Sequence, residues 1–68
     1  MNRITRSSDE AHTKLKTLGF SCGDVAFIRD GQKVWQVYAH RGQQKVIAEA
    51  LTQDKAWAEA ARMAEVTN

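Results

Sequence analysis

The stretch Val25-Ala26-Phe27-Ile28-Arg29-Asp30-Gly31-Gln32-Lys33-Val34-Trp35-Gln36-Val37-Tyr38-Ala39-His40-Arg41-Gly42-Gln43-Gln44-Lys45-Val46-Ile47-Ala48-Glu49-Ala50 decides the fold of this chain. It is rich in β-branched and aromatic residues, which fit a pleated, half-buried surface. Two short breaks interrupt it. Asp30-Gly31 is a strong hairpin signal, because both central positions of that turn take positive φ. Gly42-Gln43 supplies a second two-residue turn. The segments 25–29, 33–40 and 45–50 therefore read as a three-stranded antiparallel meander.

The turn lengths also set the register. With Asp30-Gly31 as the loop, Arg29 lies opposite Gln32, Phe27 opposite Val34 and Ala26 opposite Trp35. With Gly42-Gln43 as the second loop, Ala39 lies opposite Val46, Val37 opposite Ala48 and Trp35 opposite Ala50. One face then collects Ala26, Ile28, Trp35, Val37, Ala39, Val46, Ala48 and Ala50, which is nearly all apolar and small on the third strand. Helices are expected to pack there. The other face collects Val25, Phe27, Arg29, Val34, Gln36, Tyr38, His40, Lys45, Ile47 and Glu49, where apolar, polar and basic groups mix. A slip of one residue would exchange the two faces.

Helical patterns flank the meander. Ser7-Ser8-Asp9-Glu10 has the spacing of a capping box with Ser7 as cap, and Ala11, Leu15 and Leu18 follow at helical intervals. Gly19 stands where a left-handed C-terminal cap belongs, with Phe20 next to close over the helix end. This predicts a helix over about 8–18. After the strands, Thr52 is a good N-cap and Asp54 suits the first turn. Ala56, Trp57, Ala60, Ala61, Met63 and Ala64 give a broad apolar face over a helix at about 53–65. The fold class is α+β: a three-stranded antiparallel sheet packed on one face by N- and C-terminal helices, in the order α-β-β-β-α. Residues 1–7 read as a basic N-terminal arm and 8–66 as a single domain.

A chain of 68 residues supports one core. Its single cysteine, Cys22, has no partner for an internal disulfide, and His12 and His40 are too few to complete a zinc site with it. No metal or cofactor is expected. The chain shows no signal peptide, lipidation box or apolar run near the ~20 residues of a membrane span, which together predict a cytoplasmic protein. The net charge is +2, unevenly spread. Residues 1–45 hold eight Lys/Arg against four acids, and residues 46–68 hold two against four. This polarity gives the front of the chain a basic character.

The element order and the stretch Trp35-Gln36-Val37-Tyr38-Ala39 through Arg41-Gly42, Glu49, Thr52 and Ala56 to Ala64 resemble the double-stranded-RNA-binding domain over about residues 8–65. That family holds RNA through its first helix, the loop between its first two strands and a lysine cluster opening its last helix. Glu10 matches the polar contact of the first helix. The loop here, Asp30-Gly31-Gln32-Lys33, is short and lacks the family's Gly-Pro-x-His pattern. The lysine positions hold Gln53, Asp54 and Trp57, with only Lys55 nearby. The resemblance therefore implies the fold without the family's duplex RNA grip, since phosphate contacts supply most of such affinity. Three strands followed by a helix are also similar to small DNA-binding domains of integrase arm-binding type, which place the exposed sheet face in the major groove.

Catalysis is not expected. Cys22, His40 and Asp24 have the chemistry of a thiol nucleophile with its base, but no motif brings them together. The chain also has no phosphate-binding Gly loop, no usefully spaced carboxylate pair and little room for a substrate pocket. Two binding readings remain, the first favoured by the basic front and the fold resemblance and the second its alternative. As a nucleic-acid-associated accessory or regulatory protein of bacterial or phage type, the chain would use Arg3, Arg6, Arg29, Gln36, Tyr38, His40, Arg41 and Lys45 against bases and phosphates. As a protein-protein interaction module, a homodimer or an adaptor or inhibitor of a larger complex, it would use Phe27, Tyr38 and Ile47, with Trp57 as a further anchor unless it packs within the fold. Neither reading involves a membrane or a small-molecule substrate.

Overall fold

The computed structural model describes residues 7–67 of the chain, with side chains from residue 9 to residue 66. The elements are α1 (Ser7–Thr17), β1 (Ser21–Arg29), β2 (Gln32–Arg41), β3 (Gln44–Ala50) and α2 (Gln53–Thr67). The strands form one antiparallel sheet in the order β1-β2-β3, so the expected α-β-β-β-α architecture is present. Ser7, read as the cap at the end of the arm, opens α1 itself, and its side chain lies outside the described residues.

Both turns have the expected geometry. Asp30 and Gly31 take φ of 53° and 80°, the paired positive values of a type I′ hairpin turn. Gly42 has φ 60° and Gln43 does not share the positive region, which fits a turn of type II′. The register follows. Arg29 pairs with Gln32, Phe27 with Val34 and Ala26 with Trp35. Trp35 also pairs with Ala50, Val37 with Ala48 and Ala39 with Val46.

The helices cover the face that carries Val37, Ala39, Val46 and Ala48, all of which are buried. Small side chains let α2 come close: Ala56, Ala60, Ala61 and Ala64 are buried against this face and α1, which adds Ala11 and Leu15. Helix capping fixes where each helix enters. The Phe20 amide donates to the Leu15 carbonyl at 2.9 Å and the Gly19 amide to the Lys16 carbonyl at 3.0 Å, a Schellman end with Gly19 at φ 91°. Phe20 and Leu15, the hydrophobic pair of that motif, are 3% and 0% exposed. Thr52 caps α2 by accepting the Lys55 amide at 3.2 Å through Oγ1.

The helix layer does not reach the far end of the first hairpin. Ala26 and Ile28, expected beneath the helices, are exposed, Ile28 at 68%, and Trp35 is half-buried under the Lys33 ammonium, 4.9 Å from its ring centroid. The reason is length: β1 and β2 run nine and ten residues, while α1 packs mainly on α2. β1 also begins four residues earlier than the alternation at Val25 implied.

Polar clips complete the small core. The Asp24 carboxylate accepts from Gln53 Nε2 at 2.8 Å and Trp57 Nε1 at 3.0 Å, tying β1 to the start of α2. These two bonds, led by Gln53, hold its pKa below the ordinary aspartate value despite the opposing effect of burial. A depressed folded pKa stabilises the fold above the unfolded value, and that contribution is lost as pH falls through the folded pKa. Thermal melts should therefore show declining stability below about pH 4. Asp24→Asn should remove part of that acid limb and cost no more than about 1 kcal/mol at neutral pH, since the half-exposed carboxylate is screened by water.

Candidate interaction face

The sheet face away from the helices has no covering layer among the described residues. The Cα envelope measures 40 × 34 × 16 Å, and its short dimension accommodates one sheet and one helix layer only. Strand alternation puts Gly23, Val25, Phe27 and Arg29 of β1, Val34, Gln36, Tyr38 and His40 of β2, and Lys45, Ile47 and Glu49 of β3 on this open face.

An apolar band crosses the middle of the face. Tyr38 stands opposite Ile47 on one side and Gly23 on the other, with Val25 two residues beyond Gly23. Val25, Tyr38 and Ile47 are 44%, 44% and 58% exposed. Gly23 is a constructive element of this band. A Cβ there would stand 2.7 Å from Tyr38 Oη and 2.9 Å from Cζ, so the phenol lies over the glycine backbone in space that any other residue would occupy.

One end of the face is closed by a hydrogen-bonded network. Arg29 meets Glu49 through both guanidinium Nη atoms, at 3.0 and 3.2 Å, and Gln36 Nε2 donates to the same carboxylate at 3.0 Å. The Arg29 guanidinium also lies 5.1 Å from the Phe27 ring centroid. Hydrogen bonds from Arg29, then Gln36, lower the Glu49 pKa, so the carboxylate is held ionised. Val34, opposite Phe27, is 7% exposed beside Arg29 and Glu49, which explains a buried valine on an otherwise open face. The opposite end carries exposed His40 and Lys45, paired across β2 and β3.

The eight residues considered for nucleic acid thus divide. Arg29, Gln36, Tyr38, His40 and Lys45 share the open face, the first two engaged by Glu49. Arg3 and Arg6 lie outside the described residues. Arg41 turns to the helix side: its Nη1 donates to the Leu18 carbonyl at 2.7 Å, its Nε donates to Gln44 Oε1 at 3.1 Å, and its guanidinium sits 4.8 Å from the Phe20 ring centroid. It caps the end of α1, a role invisible to any local pattern because its partners are up to 23 residues away. Of the protein-interface residues, Phe27, Tyr38 and Ile47 share the face, with Phe27 half-buried. Trp57 packs within the fold, 7% exposed, with its ring edge-to-face on His12 at 5.3 Å.

At the positions where the RNA-binding domain keeps its lysine cluster, Gln53 is bonded to Asp24, Asp54 is half-buried and Trp57 is buried. The thiol-based constellation is not assembled. Cys22 and Asp24 point to the helix side and His40 to the open face. Burial, more than any charge, pushes the Cys22 thiol up, the reverse of what a nucleophile needs. His12 and Cys22 border one small crevice, but no three potential metal ligands cluster among the described residues. No described helix is long and apolar enough to cross a membrane.

No protein-family model matches the chain, and neither a curated protein nor a solved structure does. Of the resemblance to the double-stranded-RNA-binding domain, the structure shows the element order and the sheet topology.

The Arg41 contacts separate fold from binding. Arg41→Gln should lower unfolding stability by about 1–2 kcal/mol, because the Leu18 carbonyl loses a charged donor. Lys45→Gln should stay within about 0.5 kcal/mol, as expected of an exposed surface position. Urea denaturation of the two variants measures both.

Proposed function

We propose that this chain is a small non-enzymatic binding module that docks a protein partner on its open sheet face. The observation that carries this reading is the exposed band of Val25, Tyr38 and Ile47, rimmed by the Arg29–Gln36–Glu49 network at one end and His40 and Lys45 at the other. An apolar centre inside a polar rim is the anatomy of a protein interface. Tyr38 suits the centre, since a tyrosine gives a large contact area at a small cost in side-chain freedom and dominates many interfaces. Its position over Gly23 restricts the ring before any partner arrives. A cytoplasmic adaptor or inhibitor of a larger assembly fits this reading.

A nucleic-acid-associated role is the second reading, favoured by the basic front of the sequence and by exposed Lys45 and His40 at one end of the face. Two features weigh against it as the main role. Arg29 is neutralised by Glu49, and Arg41 faces the helix side. Loss of such phosphate partners removes most of the sequence-independent affinity.

The two readings part in a binding experiment. Fluorescence anisotropy with mixed-sequence DNA and RNA oligomers at low and moderate salt should show no salt-sensitive association. Affinity capture with the intact chain should retain a partner that is lost with Tyr38→Asp and kept with Lys45→Gln. Steep salt-dependent binding of oligomers, abolished by Lys45→Glu and indifferent to Tyr38→Asp, would reverse the assignment.

A further inference from the structure

Among the described residues β1 pairs with β2 along one side only and is an edge of the sheet. A two-residue turn closes on a hydrogen-bonded pair, here Arg29 and Gln32. Counting back by twos, Phe27, Val25, Gly23 and Ser21 direct their backbone groups to β2. Cys22, Asp24, Ala26 and Ile28 direct theirs outward; the Asp24 amide also meets its own carboxylate.

This edge has few of the usual protections against pairing: its two charges are Asp24, already bonded to Gln53 and Trp57, and Arg29 at the strand end, already paired with Glu49. It is nine residues long, contains no proline or lysine, and has the unbroken apolar run Val25-Ala26-Phe27-Ile28. β3, the other edge, is seven residues long and brackets Ile47 with Lys45 and Glu49. The helix-side row of β1 is also unevenly covered. Cys22 packs against the core, whereas Ala26 and Ile28 stay exposed.

We propose that β1 pairs antiparallel with β1 of a second copy of this chain about a two-fold axis at Val25, joining two sheets into one of six strands. Four matches support this register. It sets outward-directed residues against outward-directed residues, Cys22 opposite the partner's Ile28 and Asp24 opposite the partner's Ala26, as an antiparallel ladder requires. It uses the whole strand. It opposes no like charges, since Arg29 meets the partner's Ser21, whereas an axis at Asp24 would set two carboxylates face to face. It also places each half-covered end against its complement: exposed Ile28 comes beside the partner's Cys22, at the border of the partner's core. Edge and open face are different surfaces, so this inference does not rest on the function proposed above.

Cross-linking tests the register. A non-hydrogen-bonded antiparallel pair brings Cα atoms to about 4.5 Å, within the roughly 4.4–6.8 Å that a disulfide spans. The double variant Cys22→Ser/Val25→Cys should therefore oxidise to a covalent dimer, while Cys22→Ser/Ile47→Cys stays a single chain. Sedimentation equilibrium should give twice the chain mass for the wild type and for Tyr38→Asp. Ala26→Pro, which removes an outward amide, and Ile28→Lys should both sediment as single chains with unchanged circular dichroism. A wild type that remains a single chain at high micromolar concentration overturns the proposal. So does preferential cross-linking through Ile47→Cys, which would place the contact on β3 or the open face.

Discussion

The two tight turns are the constraint on which the rest of this structure depends. Asp30-Gly31 and Gly42 with positive φ leave each hairpin one register, and that register assigns every side chain of the sheet to a face. Val37, Ala39, Val46 and Ala48 are thereby delivered together to the helices, and Val25, Tyr38 and Ile47 to the opposite side. The same turns decide which backbone groups of β1 and β3 face outward. Core, open face and free edge are three consequences of one choice of pairing.

The core this produces is small. Leu15 and Val37 are its largest fully buried side chains, and alanines make up much of the remainder. Such a core permits close helix approach but contributes little burial per residue. Long-range polar contacts supplement it: Asp24 holds α2 through Gln53 and Trp57, and Arg41 holds the end of α1 through the Leu18 carbonyl. Lys14 and Glu65 form a further ion pair between the helices at 2.6 Å, exposed and so of modest energetic weight. Residues with the chemistry of a binding site can thus be absorbed by the fold itself, as Arg41 and Trp57 are.

Local signals made the architecture legible in the sequence. The Asp-Gly and Gly-Gln turns, the cap at Thr52 and the Gly19-Phe20 helix end all act over a few residues, and all are present in the structure. The first half of β1 escaped the alternation pattern because Cys22-Gly23-Asp24 resembles a turn; its regular pairing is seen only with Tyr38 folded over Gly23. The uncovered ends Ala26 and Ile28 were illegible for another reason. Alternation tells which face a residue joins, but not how far the helices extend over that face. Within the site, Phe27, Tyr38 and Ile47 were found together because strand parity is local information. Parity with Trp35, Val37 and Ala39 also puts Arg41 on the helix side, at odds with its place among the residues read for nucleic acid, whereas its Leu18 carbonyl partner and the Arg29–Glu49 ion pair are tertiary contacts that strand parity does not specify.

The central claim is that one sheet face is buried and the other open, with the apolar band accessible. Methyl NMR spectra recorded with a soluble paramagnetic agent test it directly, on dilute protein without a partner. The account predicts strong broadening of the Val25 and Ile47 methyls and protection of those of Val37 and Val46. Broadening of Val37 and Val46 with protection of Ile47 would mean a register shifted by one residue, and the faces assigned here would be exchanged.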